Sequence, residues 1–426
     1  MGKRTIAIFV IIIAALVLGF LFLSHRLNPQ EGNLPIPGQH DQQGNNNPAE
    51  PSEKPPEIDP LQERIQAMTL EEKVGQLVMV GVDGYEINAN DQQLIENYHV
   101  GGFVLLKKNV RDSGQMLNLI NTLKETNGVN KIPLFLALDE EGGRISRMPA
   151  EFKKMPSSQQ VGARNSGALG KKMGEILGRE VKEFGMNVNF APVLDIFSNP
   201  KNKVIGDRAF GSNPELVSKV GIQTMGGIQE QGIISVVKHF PGHGDTSVDS
   251  HVGLPRVDYD LERLRNFELR PFAEAIANDV DAIMLAHILL PKLDPDYPAS
   301  FSEVLIRDIL RKEMDYNGVV ITDDMTMGAI VENYNIGEAA VKSILAGSDI
   351  VLVCHDFAKE EVVLKEILHA AQTGKIPADR IDESVYRVLK LKEKYALADR
   401  QKESVDVQGI NAEIEQLYKD YPALKG

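Results

Sequence analysis

Ile233-Ile234-Ser235-Val236-Val237-Lys238-His239-Phe240-Pro241-Gly242-His243-Gly244-Asp245-Thr246-Ser247-Val248-Asp249-Ser250-His251 is the stretch from which the fold can be read. Residues 233–237 form a short, largely apolar run, the pattern of a strand buried on both faces. The composition then changes abruptly. One cation, three histidines and two aspartates fall within the fourteen residues 238–251. Pro241, Gly242 and Gly244 oppose a helix there. Polar groups at the end of a buried strand are costly to desolvate, so such a density of them where a strand opens into a loop points to a functional site.

The same punctuation recurs along the chain. Short apolar runs stand at 77–80, 102–106, 134–138, 188–194, 233–237, 282–286, 319–321 and 350–353. Segments of helical periodicity separate most of them, at 167–184, 216–230, 261–277 and 338–345. Thr69-Leu70-Glu71-Glu72 has the form of a capping box that opens a helix. Eight strands alternating with helices imply parallel βαβ units, and this length without a break fits one (β/α)8 TIM barrel over 61–400. A doubly wound open sheet would be expected to carry a Gly-rich nucleotide loop after its first strand, and none is found there. Residues 379–397 read as a closing amphipathic helix, and 401–426 as a polar C-terminal tail with one more short helix.

Residues 5–23 are almost wholly apolar and follow Lys3 and Arg4. At about 1.5 Å per residue they nearly span a hydrocarbon core of about 30 Å. No small-x-small cleavage site ends the run, so residues 1–24 are expected to be an uncleaved signal anchor and transmembrane helix. The preceding cations place the N-terminus inside and the barrel outside, which makes a single-pass protein of the cell membrane with an extracellular catalytic domain. Residues 25–60 are rich in Pro, Asn, Gln and Gly and read as a disordered linker with a reach of roughly 30–35 Å. The net charge of −14 argues against a nucleic-acid partner. The single cysteine, Cys354, excludes an intrachain disulfide framework and reads as a buried structural thiol.

In a barrel the chemistry sits at the C-terminal ends of the strands. Those ends carry Asp139-Glu140-Glu141 with Arg144 and Arg147, then Asp195 with Gly206-Asp207-Arg208 beyond it. The stretch quoted above follows, then His287, Thr322-Asp323-Asp324, and Cys354-His355-Asp356. Carboxylates accept paired hydrogen bonds from vicinal hydroxyls, and guanidinium and ammonium groups donate them. A polyhydroxylated ligand suits this set. The chain has no Trp, so a small, deep pocket for one sugar unit fits better than a long stacking groove.

Residues 238–251 with Gly253-Leu254-Pro255 resemble the signature loop of glycoside hydrolase family 3, in its bacterial β-N-acetylglucosaminidase branch. The resemblance runs from about residue 61 to 397. It includes Asp139-Glu140-Glu141-Gly142-Gly143-Arg144, Gly206-Asp207-Arg208-Ala209-Phe210, Pro298-Ala299-Ser300-Phe301-Ser302 and Gly318-Val319-Val320-Ile321-Thr322-Asp323-Asp324-Met325. It implies a TIM barrel and a retaining mechanism, with Asp323 as nucleophile and His251, paired with Asp249, as acid/base. It also implies that Asp139, Arg147, Arg208, Lys238 and His239 bind the sugar. Many family members carry a second α/β domain; a single-domain member is expected here.

The implied chemistry is coherent. A retaining glycosidase needs a nucleophile on one face of the anomeric carbon and a proton donor on the leaving-group side. A histidine, titrating near working pH, can replace the usual carboxylic acid, and Asp249 would orient it. The substrate expected for an external, tethered enzyme of this branch is GlcNAc–MurNAc muropeptide, cleaved by a monomer without cofactor or metal. Phosphorolysis at the same site, or a β-glucosidase or β-xylosidase specificity, is the alternative within the enzyme class. A zinc hydrolase using His239, His243, Asp245, Asp249 and His251, or a membrane-anchored sugar-binding barrel, are the alternatives outside it.

Overall fold

The computed structural model describes residues 59–246, 249–250 and 253–425. The expected anchor, residues 1–24, and the linker 25–60 as far as residue 58 lie outside them, and so does His251. Among the described residues no helix is long and apolar enough to cross a membrane.

Eight of the ten strands pair in parallel and close on themselves as a barrel. They are β1 (Val78–Gly81), β2 (Gly102–Leu105), β3 (Phe135–Leu138), β4 (Val188–Asn189), β5 (Ile234–Phe240), β6 (Ala282–Leu285), β9 (Val319–Asp324) and β10 (Ile350–Val353). The ring closes where β1 pairs with β10, Val78 opposite Val351 and Val80 opposite Val353. Between β6 and β9 the chain makes a small antiparallel ribbon from β7 (Leu289–Leu290) and β8 (Asp294–Pro298).

Side chains alternate across a strand, so one parity fills the barrel and the other meets the helices. Met79, Val104, Phe135, Ala137, Val188, Ile234, Val236, Ala282, Met284, Val319, Ile321, Ile350 and Leu352 make one buried cluster. That parity is the barrel interior. The opposite parity, with Val80, Phe103, Leu136, Val237, Ile283, Val320 and Val351, joins the larger core under the helices.

The helices begin where their caps dictate. Thr69 Oγ1 accepts from Glu72 N at 3.1 Å while Thr69 N donates to Glu72 Oε2 at 2.8 Å, the expected capping box. The periodic stretch 261–277 forms two helices rather than one, Leu261–Asn266 and Arg270–Ala277. Pro271 is the reason: it starts a helix well but cannot donate inside one. The helix Ala378–Lys394 closes the lower end, with Val388 and Leu391 in the interior cluster and Lys392 Nζ 4.5 Å from the Phe135 ring centroid. Residues 401–425 do not hang free as a polar tail. The helix Val407–Asp420 buries Ile410, Ile414 and Leu417, a stripe of helical spacing, against the body of the domain.

Strand β5 is longer than the apolar run that announces it. It continues through Lys238 and His239 to Phe240, with Lys238 opposite Met284 and Phe240 opposite Leu285 across a bulge. Lys238 and His239 therefore belong to a strand, not to the loop. Hydrophobicity ends at Val237 because the barrel interior turns polar at its mouth, while the ladder continues.

Candidate active site

The pleat carries the interior parity up into the mouth. Two residues beyond Ala137 stands Asp139, two beyond Val236 stands Lys238, and two beyond Ile321 stands Asp323. All three line one pocket of about 340 Å³, together with Arg147, Arg208 and His239. Six of the eight site residues expected from the sequence thus share one cavity.

A chain of opposite charges forms one wall. Lys238 Nζ lies 2.6 Å from Asp139 Oδ1 and 2.7 Å from Glu141 Oε1. Arg208 grips Glu141 with two parallel bonds of 2.8 Å, and Arg147 Nη2 donates to Asp139 Oδ2 at 3.1 Å. Burial pushes both carboxyls up, but the cations outweigh it: Asp139 is held below its usual range by Lys238 and Arg147, and Glu141 far below by Arg208 and Lys238. Arg147 reaches this wall because Gly142 and Gly143, at φ 79° and 57°, fold the strand end back on itself. Its Nε is buried and has no partner among the described residues, a donor that a ligand oxygen would satisfy.

Asp323 stands at the end of β9. Burial raises its pKa, but His239 and His287 more than compensate, so the carboxyl sits below its usual range. It accepts from the Asp324 amide at 2.8 Å. Asp324 is engaged differently. Its Oδ1 accepts from Thr326 N at 2.9 Å and Cys354 N at 3.0 Å, and its Oδ2 from the Thr326 hydroxyl at 2.7 Å. Asp324 thus ties β9 to β10, while among the described residues Asp323 keeps one oxygen free of any protein donor. Behind Asp323, buried His287 sets its Nε2 3.0 Å from the Asp324 carbonyl and its Nδ1 2.8 Å from the Ser300 hydroxyl.

His239 is oriented by a residue that sequence order alone does not connect to it. Its Nδ1–H donates to Asp195 Oδ2 at 2.6 Å, and Asp195 is fully buried. The other oxygen of Asp195 accepts from the His243 amide at 2.6 Å. His243 is buried, and burial followed by the neighbouring His239 pushes its pKa down to about 4. Gly244 lies against the Ile196 carbonyl so closely that a Cβ there would stand 1.7 Å from that oxygen. The loop beyond returns to the pocket, where buried Ser250 lines the wall and its carbonyl accepts from Ala329 N at 3.0 Å. Asp249, half-buried, precedes Ser250 on this loop.

Sequence reading gives no role to Glu141, Asp195 and His287, and names His243 only as a candidate zinc ligand. Their signal was present as ionisable groups at or near strand ends, but each has a partner 37 or more residues away: Arg208 for Glu141, His239 for Asp195, Asp195 for His243 and Asp324 for His287. Cys354 is buried as expected, and burial raises its thiol pKa well above normal. Among the described residues no group of three His, Cys, Asp or Glu side chains is arranged to hold a metal ion.

A closed parallel barrel with paired carboxylates and cations at its C-terminal mouth defines a TIM-barrel enzyme of the glycoside hydrolase class. The chain belongs to glycosyl hydrolase family 3, whose N-terminal domain matches residues 69–391. It is 37% identical over 330 residues to beta-hexosaminidase A of Pseudoalteromonas piscicida, covering 71% of this chain and 54% of that protein. The chain thus spans only about half of that relative. It is 35% identical over 301 residues to the beta-hexosaminidase of Idiomarina loihiensis, covering 69% of this chain and 88% of that one. Among solved structures, a family 3 beta-N-acetylglucosaminidase from Paenibacillus sp. aligns with a TM-score of 0.78 at 39% identity, over 83% of this chain and 69% of that one.

Proposed function

We propose that this chain is a retaining exo-β-N-acetylglucosaminidase that removes terminal, non-reducing β-linked GlcNAc. The observation that carries the reading is the asymmetry at the end of β9. Asp324 is bound on both oxygens by the scaffold, whereas Asp323 presents a depressed-pKa carboxylate in a pocket walled by sugar-binding charges. The names of the relatives support the sugar specificity.

In the proposed reaction Asp139, Arg147, Arg208, Lys238 and His239 hold the sugar hydroxyls. An Asp323 carboxylate oxygen attacks the anomeric carbon as the glycosidic C–O bond breaks. His251, supported by Asp249, passes its proton to the departing oxygen. It then takes a proton from the water that cleaves the glycosyl-Asp323 ester, which restores both residues and retains the anomeric configuration. The charge wall has its own part: Lys238 with Arg147 keeps Asp139 ionised as an acceptor, and Lys238 with Arg208 keeps Glu141 ionised beside it.

The proposed setting is outside the cell. Residues 1–24 anchor the chain, the linker carries the barrel away from the membrane, and muropeptides bearing terminal GlcNAc are the substrates met there. Protease added to intact cells or protoplasts should reach the barrel; protection of the barrel alongside a cytoplasmic control contradicts this topology.

The test of activity is hydrolysis of a chromogenic β-GlcNAc glycoside beside its β-glucose, β-xylose and β-GalNAc analogues. GlcNAc should be the best substrate. A faster β-glucoside or β-xyloside rejects the specificity, and binding without turnover rejects the enzyme. Repeating the assay with phosphate identifies the acceptor: GlcNAc-1-phosphate as the main product would replace hydrolysis by phosphorolysis.

A further inference from the structure

A buried imidazole supports the loop that carries Asp249 from inside. His243 sits beneath it, fully buried, in T-shaped contact with His239 at 5.7 Å between ring centroids. One of its ring nitrogens is 2.7 Å from the Thr246 hydroxyl and the other 3.3 Å from the Ser250 hydroxyl. Its pKa of about 4 keeps the ring neutral at working pH, so one nitrogen donates and the other accepts. Its backbone is fixed in turn: the amide donates to Asp195, and the carbonyl accepts from Asn202 Nδ2 at 2.8 Å. Ser250 separates Asp249 from His251 in sequence. The His243–Ser250 contact therefore acts on the middle residue of the Asp-Ser-His segment, and Asp195 links the backbone amide of His243 to the sugar-facing His239 ring.

We infer that His243 is a positioning residue, which through Ser250 sets the backbone that carries Asp249, while Asp195 ties His243 to the sugar site. The inference rests on the reading of His251 as acid/base. It separates two things that usually fail together. Sugar binding depends on Asp139, Lys238 and His239, none of which touches Ser250. Proton delivery depends on where the loop sits. Loosening the Ser250 contact should damage the second and spare the first.

The experiment uses the full chain and glycosides of GlcNAc with leaving groups of graded pKa. His243→Asn keeps an amide near the Thr246 side of the ring but does not reach Ser250. Its kcat/KM should fall about 10–100-fold on poor leaving groups, the scale of a misplaced catalytic group, and less than about three-fold on activated aryl glycosides. In Ser250→Ala, which leaves the His243–His239 contact in place, inhibition by free GlcNAc should stay within about two-fold. His243→Gln, whose amide reaches the Ser250 side, should recover most of the loss, and Ser250→Ala should reproduce it. A loss independent of leaving group, a parallel weakening of GlcNAc inhibition in Ser250→Ala, or a Gln variant no better than Asn overturns the inference. If His243→Asn does not fold, Ser250→Ala carries the same test. His251→Ala belongs in the series. A steep leaving-group dependence for His251→Ala with a flat one for Ser250→Ala overturns the positioning role alone. Flat dependence in both overturns the acid/base reading and this inference with it.

Discussion

Asp323→Asn and Asp324→Asn should separate cleanly, although the two residues are adjacent and chemically identical. Among the described residues Asp323 accepts one hydrogen bond, from the Asp324 amide at 2.8 Å, and an asparagine oxygen can keep it. Stability should change by about 1 kcal/mol or less, since one neutral hydrogen bond replaces one charge-assisted bond. Turnover should fall by roughly 10⁴-fold or more, about 5.5 kcal/mol of barrier, because an amide cannot form the glycosyl ester. Asp324 accepts three bonds, two from backbone amides and one from the Thr326 hydroxyl. Neutralising it weakens each by about 0.5–1 kcal/mol, so about 1.5–3 kcal/mol of stability should be lost. Its activity should stay within roughly ten-fold, because its role is to join β9 to β10. The assay is kcat on a chromogenic β-GlcNAc glycoside beside urea unfolding of both variants. A 2-fluoro glycoside with an activated leaving group should label Asp323 of the parent enzyme, read by peptide mass spectrometry. Label on Asp324, or an Asp324→Asn variant that is dead but fully stable, refutes the assignment.

Other outcomes follow from the same geometry. Lys238→Met leaves Asp139 and Glu141 without their shared ammonium and should destabilise the fold by about 3–5 kcal/mol, measured by urea unfolding. Both carboxyls are held low in the folded state, so their contribution is present above their ordinary range and lost as pH falls through the depressed values; Lys238→Met should move the acid limb of unfolding to higher pH. Glu180 is buried on the helix Gly167–Glu183, with burial and Glu140 raising its pKa well above normal and one oxygen unpartnered among the described residues. A raised folded pKa costs stability as pH rises above the unfolded value, so Glu180→Gln should stabilise by about 1–2 kcal/mol at pH 8 and change little near pH 4. Equal effects at both pH values contradict that sign. Gly244→Ala should lower the melting temperature and cut activity at least about ten-fold, because the added methyl must push the loop off the Ile196 carbonyl; parent-like stability and kcat/KM would show that the loop has room.

The barrel was legible in the chain because its strands are buried on both faces and read as apolar runs, each bounded by turn residues. Each of the eight runs holds a barrel strand or the core of one, although in 188–194 the strand is only Val188–Asn189. The candidate nucleophile, Asp323, and the sugar-facing Asp139 and Lys238 were legible for a further reason: each lies two residues beyond an interior strand residue, so the pleat that fills the barrel also aims them into its mouth. What the linear order could not supply was partnership. Nothing near His239 in sequence indicates that a carboxylate 44 residues earlier orients it. Glu141 and Asp324 look as functional as their neighbours Asp139 and Asp323 until tertiary contacts show which oxygens the scaffold uses. The end of β5 was misplaced at Val237 for the same reason. Hydrophobicity marks where a strand is dry, whereas strand identity depends on the ladder, and the ladder continues through Lys238 because Met284 stands opposite it. Local pattern therefore determined the barrel and the layer of side chains at its mouth; only the tertiary structure decided which charges neutralise one another and which remain for a substrate, because that depends on distances between strand ends that the chain's own order does not encode.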